Sequence, residues 1–138
     1  MSQTEWTVYS DGASRGNPGP SAIGAVVYDS EGREAHTVSR RIGRATNNEA
    51  EYQAAIAGLE AALALGARNV KLVMDSELVV RQLEFRYRVR NPRLRPFFER
   101  LLDLRRRFDS FAVDAVARAL NTKADALANQ ALDKGPDS

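Results

Sequence analysis

"TNNEAEYQAAIAGLEAALALGARNVKLVMD", residues 46–75, changes its period partway along, and that change decides the fold. Residues 46–66 read as a helix, with Thr46 and Glu49 forming a capping box at its start and Gly66 marking its C-terminal end. Residues 69–75 then read as a strand in which Val70, Leu72 and Met74 line one face while Lys71, Val73 and Asp75 line the other. A helix that hands over to a strand in this way implies layered α/β structure.

The same reading extends in both directions. Upstream, "EWTVYSD" (5–11), "SAIGAVVYDS" (21–30) and "REAHTVSRRI" (33–42) are strand-like, and "DSEG" (29–32) joins the last two as a hairpin. Downstream come a short helix begun by Ser76, a turn and helix over 91–108, a strand "FAVDAVA" (111–117) and a final helix from Asn121. A meander followed by alternating strands and helices predicts an α/β protein with a mixed sheet covered on both faces. Residues 1–138 are expected to form one domain, with "KGPDS" (134–138) as a frayed tail.

Composition narrows the chemistry. The chain has 138 residues and no cysteine, so disulfides, thiolate nucleophiles and thiolate metal sites are excluded together. Any metal must be held by oxygen ligands or by the single histidine, His36. No basic segment leads into an apolar run at the start, and no stretch of apolar residues is long enough to span a bilayer. The expectation is a cytoplasmic protein without a membrane partner, with a monomer as the default.

The net charge is only +2, but it is unevenly spread. Between Arg81 and Arg107 stand ten arginines against three acids, Glu84, Glu99 and Asp103. The densest part, "FRYRVRNPRLRPFF" (85–98), interleaves Arg86, Arg88 and Arg90 with aromatic rings. Guanidinium forks match phosphate and stack on rings, so a polyanion is one reading of this stretch. A solvated helix face with long stems lying over apolar surface is the other.

Four acids stand at element ends. On the long helix, Gln53 lies about 40° and Glu60 about 20° from Glu49, which gives one polar face. Glu51 lies about 200° from Glu49, among Ala54, Ala55, Gly58 and Ala62, on the side expected to turn inward. A buried, unpaired carboxylate is costly and is usually neutralised, hydrogen-bonded or bound to a cation. Asp75 ends a strand and leads into a helix, where it serves either a ligand site or a cap. Asp125 fits a "TKAD" capping pattern, and Asp11 in "DGASRGNPGP" (11–20) fits a turn. The glycine-rich stretch has no lysine and opens no helix, which argues against a nucleotide phosphate loop. If a mixed sheet gathers the four acids, they can ionise together only around cations, and hard oxygen ligands select Mg²⁺ or Mn²⁺. Two such ions suit in-line displacement at a phosphodiester.

Taken in order and spacing, "DGASRGNPGP" (11–20), "TNNEAEYQAAIAGLEAAL" (46–63), "VMDSELVVRQL" (73–83) and "LNTKADALANQAL" (120–132) closely resemble the type 1 ribonuclease H family. The resemblance covers nearly the whole chain. It implies a ribonuclease H-like fold with a five-stranded mixed sheet, the second strand antiparallel to the rest and helices on both faces. It also implies a catalytic, metal-holding tetrad of Asp11, Glu51, Asp75 and Asp125. With two Mg²⁺ ions, or Mn²⁺, such a tetrad would cut the RNA strand of an RNA/DNA hybrid to 3′-hydroxyl and 5′-phosphate ends.

The resemblance further assigns Asn17, Asn47 and Asn48 to minor-groove contacts and Gly12 and Gly16 to close backbone approach. Arg44, Thr46 and Asn121 are assigned to a pocket for a DNA-strand phosphate. Turn and cap chemistry is the alternative for each of these residues.

The chain departs from the family pattern in three places. Ala115 stands where many relatives carry a histidine, Glu77 stands where several carry an amide, and the basic helical protrusion of some bacterial members is replaced by the shorter arginine stretch. Two alternatives follow: a broader nuclease that also cuts double-stranded RNA, or a non-catalytic hybrid-binding module. His36 is expected to be structural or at the surface.

Overall fold

Three strands open the chain as a meander: β1 (Glu5–Ser14), β2 (Gly19–Tyr28) and β3 (Glu34–Ala45), paired antiparallel in succession. The first long helix, α1 (Asn47–Ala64), carries the chain to β4 (Asn69–Met74), which pairs parallel with β1. Helices α2 (Glu77–Leu83) and α3 (Arg95–Arg106) lead to β5 (Ser110–Ala115), parallel to β4, and α4 (Thr122–Lys134) follows. This computed structural model describes residues 4–134. All but Lys134 of the segment read as a frayed tail lies outside the described residues.

The sheet order is β3-β2-β1-β4-β5, with β2 the strand that runs against its neighbours. Helices cover both faces, and two consecutive residues of β2 show it. Ala25 lies on the α1 side, beside Gly58, whereas Gly24 lies against α4. A Cβ on Gly24 would fall 2.1 Å from the Ala124 carbonyl oxygen, so glycine is what allows α4 to seat on the sheet. The main core is on the α1 side, where Val8, Val27, Leu59, Val70, Leu72 and Met74 meet Val79, Leu83, Leu101 and Leu104. A smaller cluster, Ala22, Ala131 and Leu132, lies under α4.

The start of α1 forms as its sequence specifies, with one difference. Thr46 Oγ1 accepts from the Glu49 N–H, and the Glu49 carboxylate accepts from the Thr46 N–H. Glu49, read as part of a polar face, is only 8% exposed. Its second oxygen accepts from Arg93 Nε at 3.3 Å, so both oxygens are satisfied. These hydrogen bonds, the one from the Thr46 backbone foremost, hold the Glu49 carboxyl below its ordinary range.

Candidate active site

Three elements meet at one cleft, and Asp11, read from the sequence as ending its strand at a turn, instead lies within β1, which stays paired with β2 as far as Ser14. Asp11 comes from β1, Asp75 follows β4, and Glu51 projects from the second turn of α1. One oxygen from each lies within 4.8 Å of the others. Together with Gly12, Asn47 and Arg118 these acids line a cavity of about 310 Å³. Parallel pairing of β1 with β4 is what sets Asp11 and Asp75 at the same end of the sheet.

The close approach of α1 depends on Gly12. A Cβ there would fall 2.4 Å from the Ala50 carbonyl carbon, so β1 and the helix touch backbone to backbone. Across that contact the Gly12 N–H donates to Glu51 Oε1 at 2.5 Å. Gly12, expected from the resemblance to admit close backbone approach, also lines the cleft, and the backbone that approaches it in this structure is that of α1.

Unneutralised, this arrangement favours protons over charge. Asp11 is 4% exposed; its burial, followed by the negative charge of Glu51, pushes its carboxyl up to about 10. Burial likewise raises Glu51 to about 7, against the opposing hydrogen bonds from Asp11 and Gly12. Asp75 is also raised, first by burial, while the guanidinium of Arg118 pulls the other way.

Asp125 stands at the edge of this group rather than within it. It is near enough to Asp11 and Asp75 to help raise both carboxyls. Its Oδ1 accepts from Asn129 Nδ2 at 3.2 Å and lies 3.7 Å from Arg118 Nη2. All four acids expected from the sequence therefore meet in one neighbourhood, three of them packed tightly and the fourth at their edge on the first turn of α4. Burial and mutual repulsion are what a bound cation would relieve, and carboxylate oxygens are hard donors, so the residues fit a divalent cation.

Arg118 is the residue that sequence reasoning missed. It begins the 3-10 turn Arg118–Leu120, its side chain is 81% exposed, and its charge bears on Glu51 and Asp75. Its place between a strand end and a capping pattern was the available signal. Ala115 instead ends β5 opposite Met74, and His36 is exposed on β3.

The expected substrate residues divide by position. Asn17 Oδ1 accepts from the Asn47 N–H at 3.0 Å, which joins the β1–β2 turn to the start of α1. Asn47, Asn48, Arg44 and Gly16 are exposed near it, and Gly16 has φ +107°. Asn121 does not join them. It is 2% exposed and its amide donates to the Ser10 carbonyl at 2.9 Å, so it fastens the start of α4 to β1 and offers no face to a phosphate. The Thr46 hydroxyl is half-buried and engaged in its cap.

Fold and site together define an α/β protein with a carboxylate cleft at the ends of parallel strands, built to take divalent cations. A family model described as "Reverse transcriptase-like" matches residues 9–131. Ribonuclease HI of Halobacterium salinarum is 48% identical over 125 residues, which is 91% of this chain and 63% of that protein. The crystal structure of RNase H1 from that archaeon superposes with a TM-score of 0.92 at 46% identity, over 95% of this chain and 99% of that one. LC11-RNase H1 from compost, crystallised in complex with RNA/DNA hybrid, gives 0.88 at 39% identity, over 94% and 97% of the two chains. The chain belongs to the type 1 ribonuclease H family. It spans from 36% to 63% of the length of the first curated relatives it matches.

Proposed function

We propose that this chain is a metal-dependent endoribonuclease that hydrolyses the RNA strand of RNA/DNA hybrids. The observation that carries this reading is the meeting of Asp11, Glu51 and Asp75 oxygens within 4.8 Å, with Asp125 near enough to help raise the Asp11 carboxyl. Its support is the family membership and the hybrid bound by LC11-RNase H1.

Divalent cations, two of Mg²⁺ or Mn²⁺, would supply a nucleophilic hydroxide at neutral pH and neutralise charge at the phosphate. The protein's own part is to hold the ligands. The Gly12 N–H fixes one oxygen of Glu51, Asn121 ties the strand beside Asp11 to α4, and Asn129 and Arg118 orient Asp125. Arg118 also sets a positive charge at the cleft wall, beside the place where a scissile phosphate gains charge. Hydrolysis puts the water oxygen on phosphorus and breaks the bond to the 3′ oxygen. That oxygen takes a proton, which leaves 3′-hydroxyl and 5′-phosphate ends.

Substrate contacts follow from exposure. Asn17, Asn47 and Asn48, on the turn and helix start beside the acids, offer amides that both donate to and accept from 2′-hydroxyls. Arg44, with Gly16 and Thr46 close by, faces a strand backbone, and Arg86, Arg88 and Arg90 extend the positive surface. A cysteine-free chain suits a reducing cytoplasm, and a single copy holds every residue that this reading uses.

The test is cleavage of a hybrid labelled on either strand, with Mg²⁺ or Mn²⁺, by wild-type and Asp11→Asn protein. Double-stranded RNA is run beside the hybrid. RNA-strand products that vanish in the variant are expected; equal cleavage by both proteins would remove the site assignment.

A further inference from the structure

The arginine segment has little regular structure, yet it is fastened to the helix that carries Glu51. After α2, Phe85 takes a left-handed conformation (φ 62°), and the N–H groups of Arg86 and Tyr87 both donate to the Arg81 carbonyl. The chain thereby doubles back along the end of α2. Gln82 Nε2 then donates to the Arg88 carbonyl at 3.3 Å, and Gln82 Oε1 accepts from the Tyr52 hydroxyl at 2.5 Å. Farther on, Arg93 reaches Glu49. Val89 and Leu94 are buried on either side.

One anchor, Glu49, sits on α1, and the other, Gln82 on α2, is tied to α1 through Tyr52. Glu49 and Tyr52 are three residues apart, hence on one face, and they flank Glu51 in the sequence. Tyr52 and Gln82 are buried among Val79, Val80, Leu83 and other apolar groups. An apolar pair of similar size would fill that space without desolvating a hydroxyl and an amide. What a polar pair adds is direction, because only a correctly placed Arg88 carbonyl satisfies the amide. Beyond the pair, Arg88, Arg90 and Arg95 with Phe85, Tyr87 and Phe98 line a groove of about 620 Å³.

We propose that Tyr52 and Gln82 are positioning residues that set the arginine segment at a fixed offset from the carboxylate cleft. One hybrid backbone can then meet both surfaces without first ordering a loop. This inference rests on the reading above that the protein acts on a hybrid. Preorganisation of this kind appears in binding, because a loop ordered before contact loses no freedom on contact.

The test uses Tyr52→Phe and Gln82→Met, each in the wild-type background and in an Arg88→Ala/Arg90→Ala background. Hybrid cleavage gives KM and kcat, and fluorescence anisotropy of labelled hybrid without metal gives affinity. Loss of the clamp is expected to raise KM and the dissociation constant about fivefold while kcat holds within about twofold. In the background without the two arginines no further rise is expected. An unchanged KM, or an equal rise in both backgrounds, overturns the proposal, since general loosening of the fold would act without regard to the arginines. Should Gln82→Met fail to fold, Tyr52→Phe removes only one hydroxyl and decides alone. If wild-type protein binds hybrid without cutting it, the functional reading fails and anisotropy still judges the clamp. If it neither binds nor cuts, both fall.

Discussion

The carboxylate cleft and the arginine segment carry opposite charges and solve opposite problems. In the cleft, Asp11, Glu51 and Asp75 are crowded and desolvated, so burial and mutual repulsion hold protons on groups that would ionise in water. Along 86–93 the arginines are exposed, and their charges cost folding little. The cleft gives up stability in order to hold a ligand. The segment needs order rather than protection, and a few polar anchors on α1 and α2 provide it. Buried charge therefore marks where chemistry is concentrated, and exposed charge marks where affinity is adjusted.

Perturbing one region at a time sharpens the contrast. The largest effect is expected for Asp11→Asn, which should lower the hybrid cleavage rate by about a thousandfold or more. In metal-free buffer the same change should raise unfolding stability by about 1 kcal/mol, because a buried acid in a repulsive cluster is replaced by a neutral amide. A loss of both activity and metal-free stability, measured by cleavage and urea unfolding, would break the contrast.

Arg118→Ala comes next, with an expected fall in kcat of about tenfold to a hundredfold and little change in stability, since the side chain is exposed. Single-turnover cleavage beside a denaturation curve checks it.

Proton linkage gives an intermediate effect. Folded Asp11 and Glu51 keep protons that the unfolded chain releases near its ordinary carboxylate values, so the folded state binds more protons between those values and about 7 for Glu51 or about 10 for Asp11. In chelator, the contribution of these groups to stability should therefore fall as pH rises through that window. Mg²⁺ or Mn²⁺ should restore it, more at pH 8 than at pH 6. Melting curves of wild-type and Asp11→Asn protein test this, and an equal pH slope in the two would count against it.

The smallest effects belong to the exposed region. Arg86→Ala, Arg88→Ala and Arg90→Ala should each weaken hybrid binding modestly and reduce the slope of log affinity against log salt by about 1, with kcat unchanged. Affinity measured over a salt series would show it.

Much of this was legible in the sequence for local reasons. Thr46 and Glu49 specify a helix start three residues apart, and alternation along Val70–Asp75 specifies a strand that ends in an acid. The five-stranded mixed sheet with its second strand reversed was expected from the family motifs and is present. The four acids were legible as candidates because each is a charge beside a turn, a cap or an apolar face; the parallel pairing of β1 and β4 brings Asp11 and Asp75 together, and α1 and α4 bring Glu51 and Asp125.

Other features depended on partners far along the chain. Helical projection set Glu49 on a polar face with Gln53 and Glu60, but gave no sign that Arg93, 44 residues away, pairs with it. Asn121 read as a ligand for phosphate until the fold placed it beneath Ser10, 111 residues earlier. Arg118 offered only its place between a strand end and a capping pattern, since an exposed arginine gains a role from the acids that the fold brings to it. Periodicity and capping are encoded within a few residues and can be read directly. Burial, charge coupling and the placing of one loop against another arise from contacts across the whole chain, and only the tertiary structure decides them.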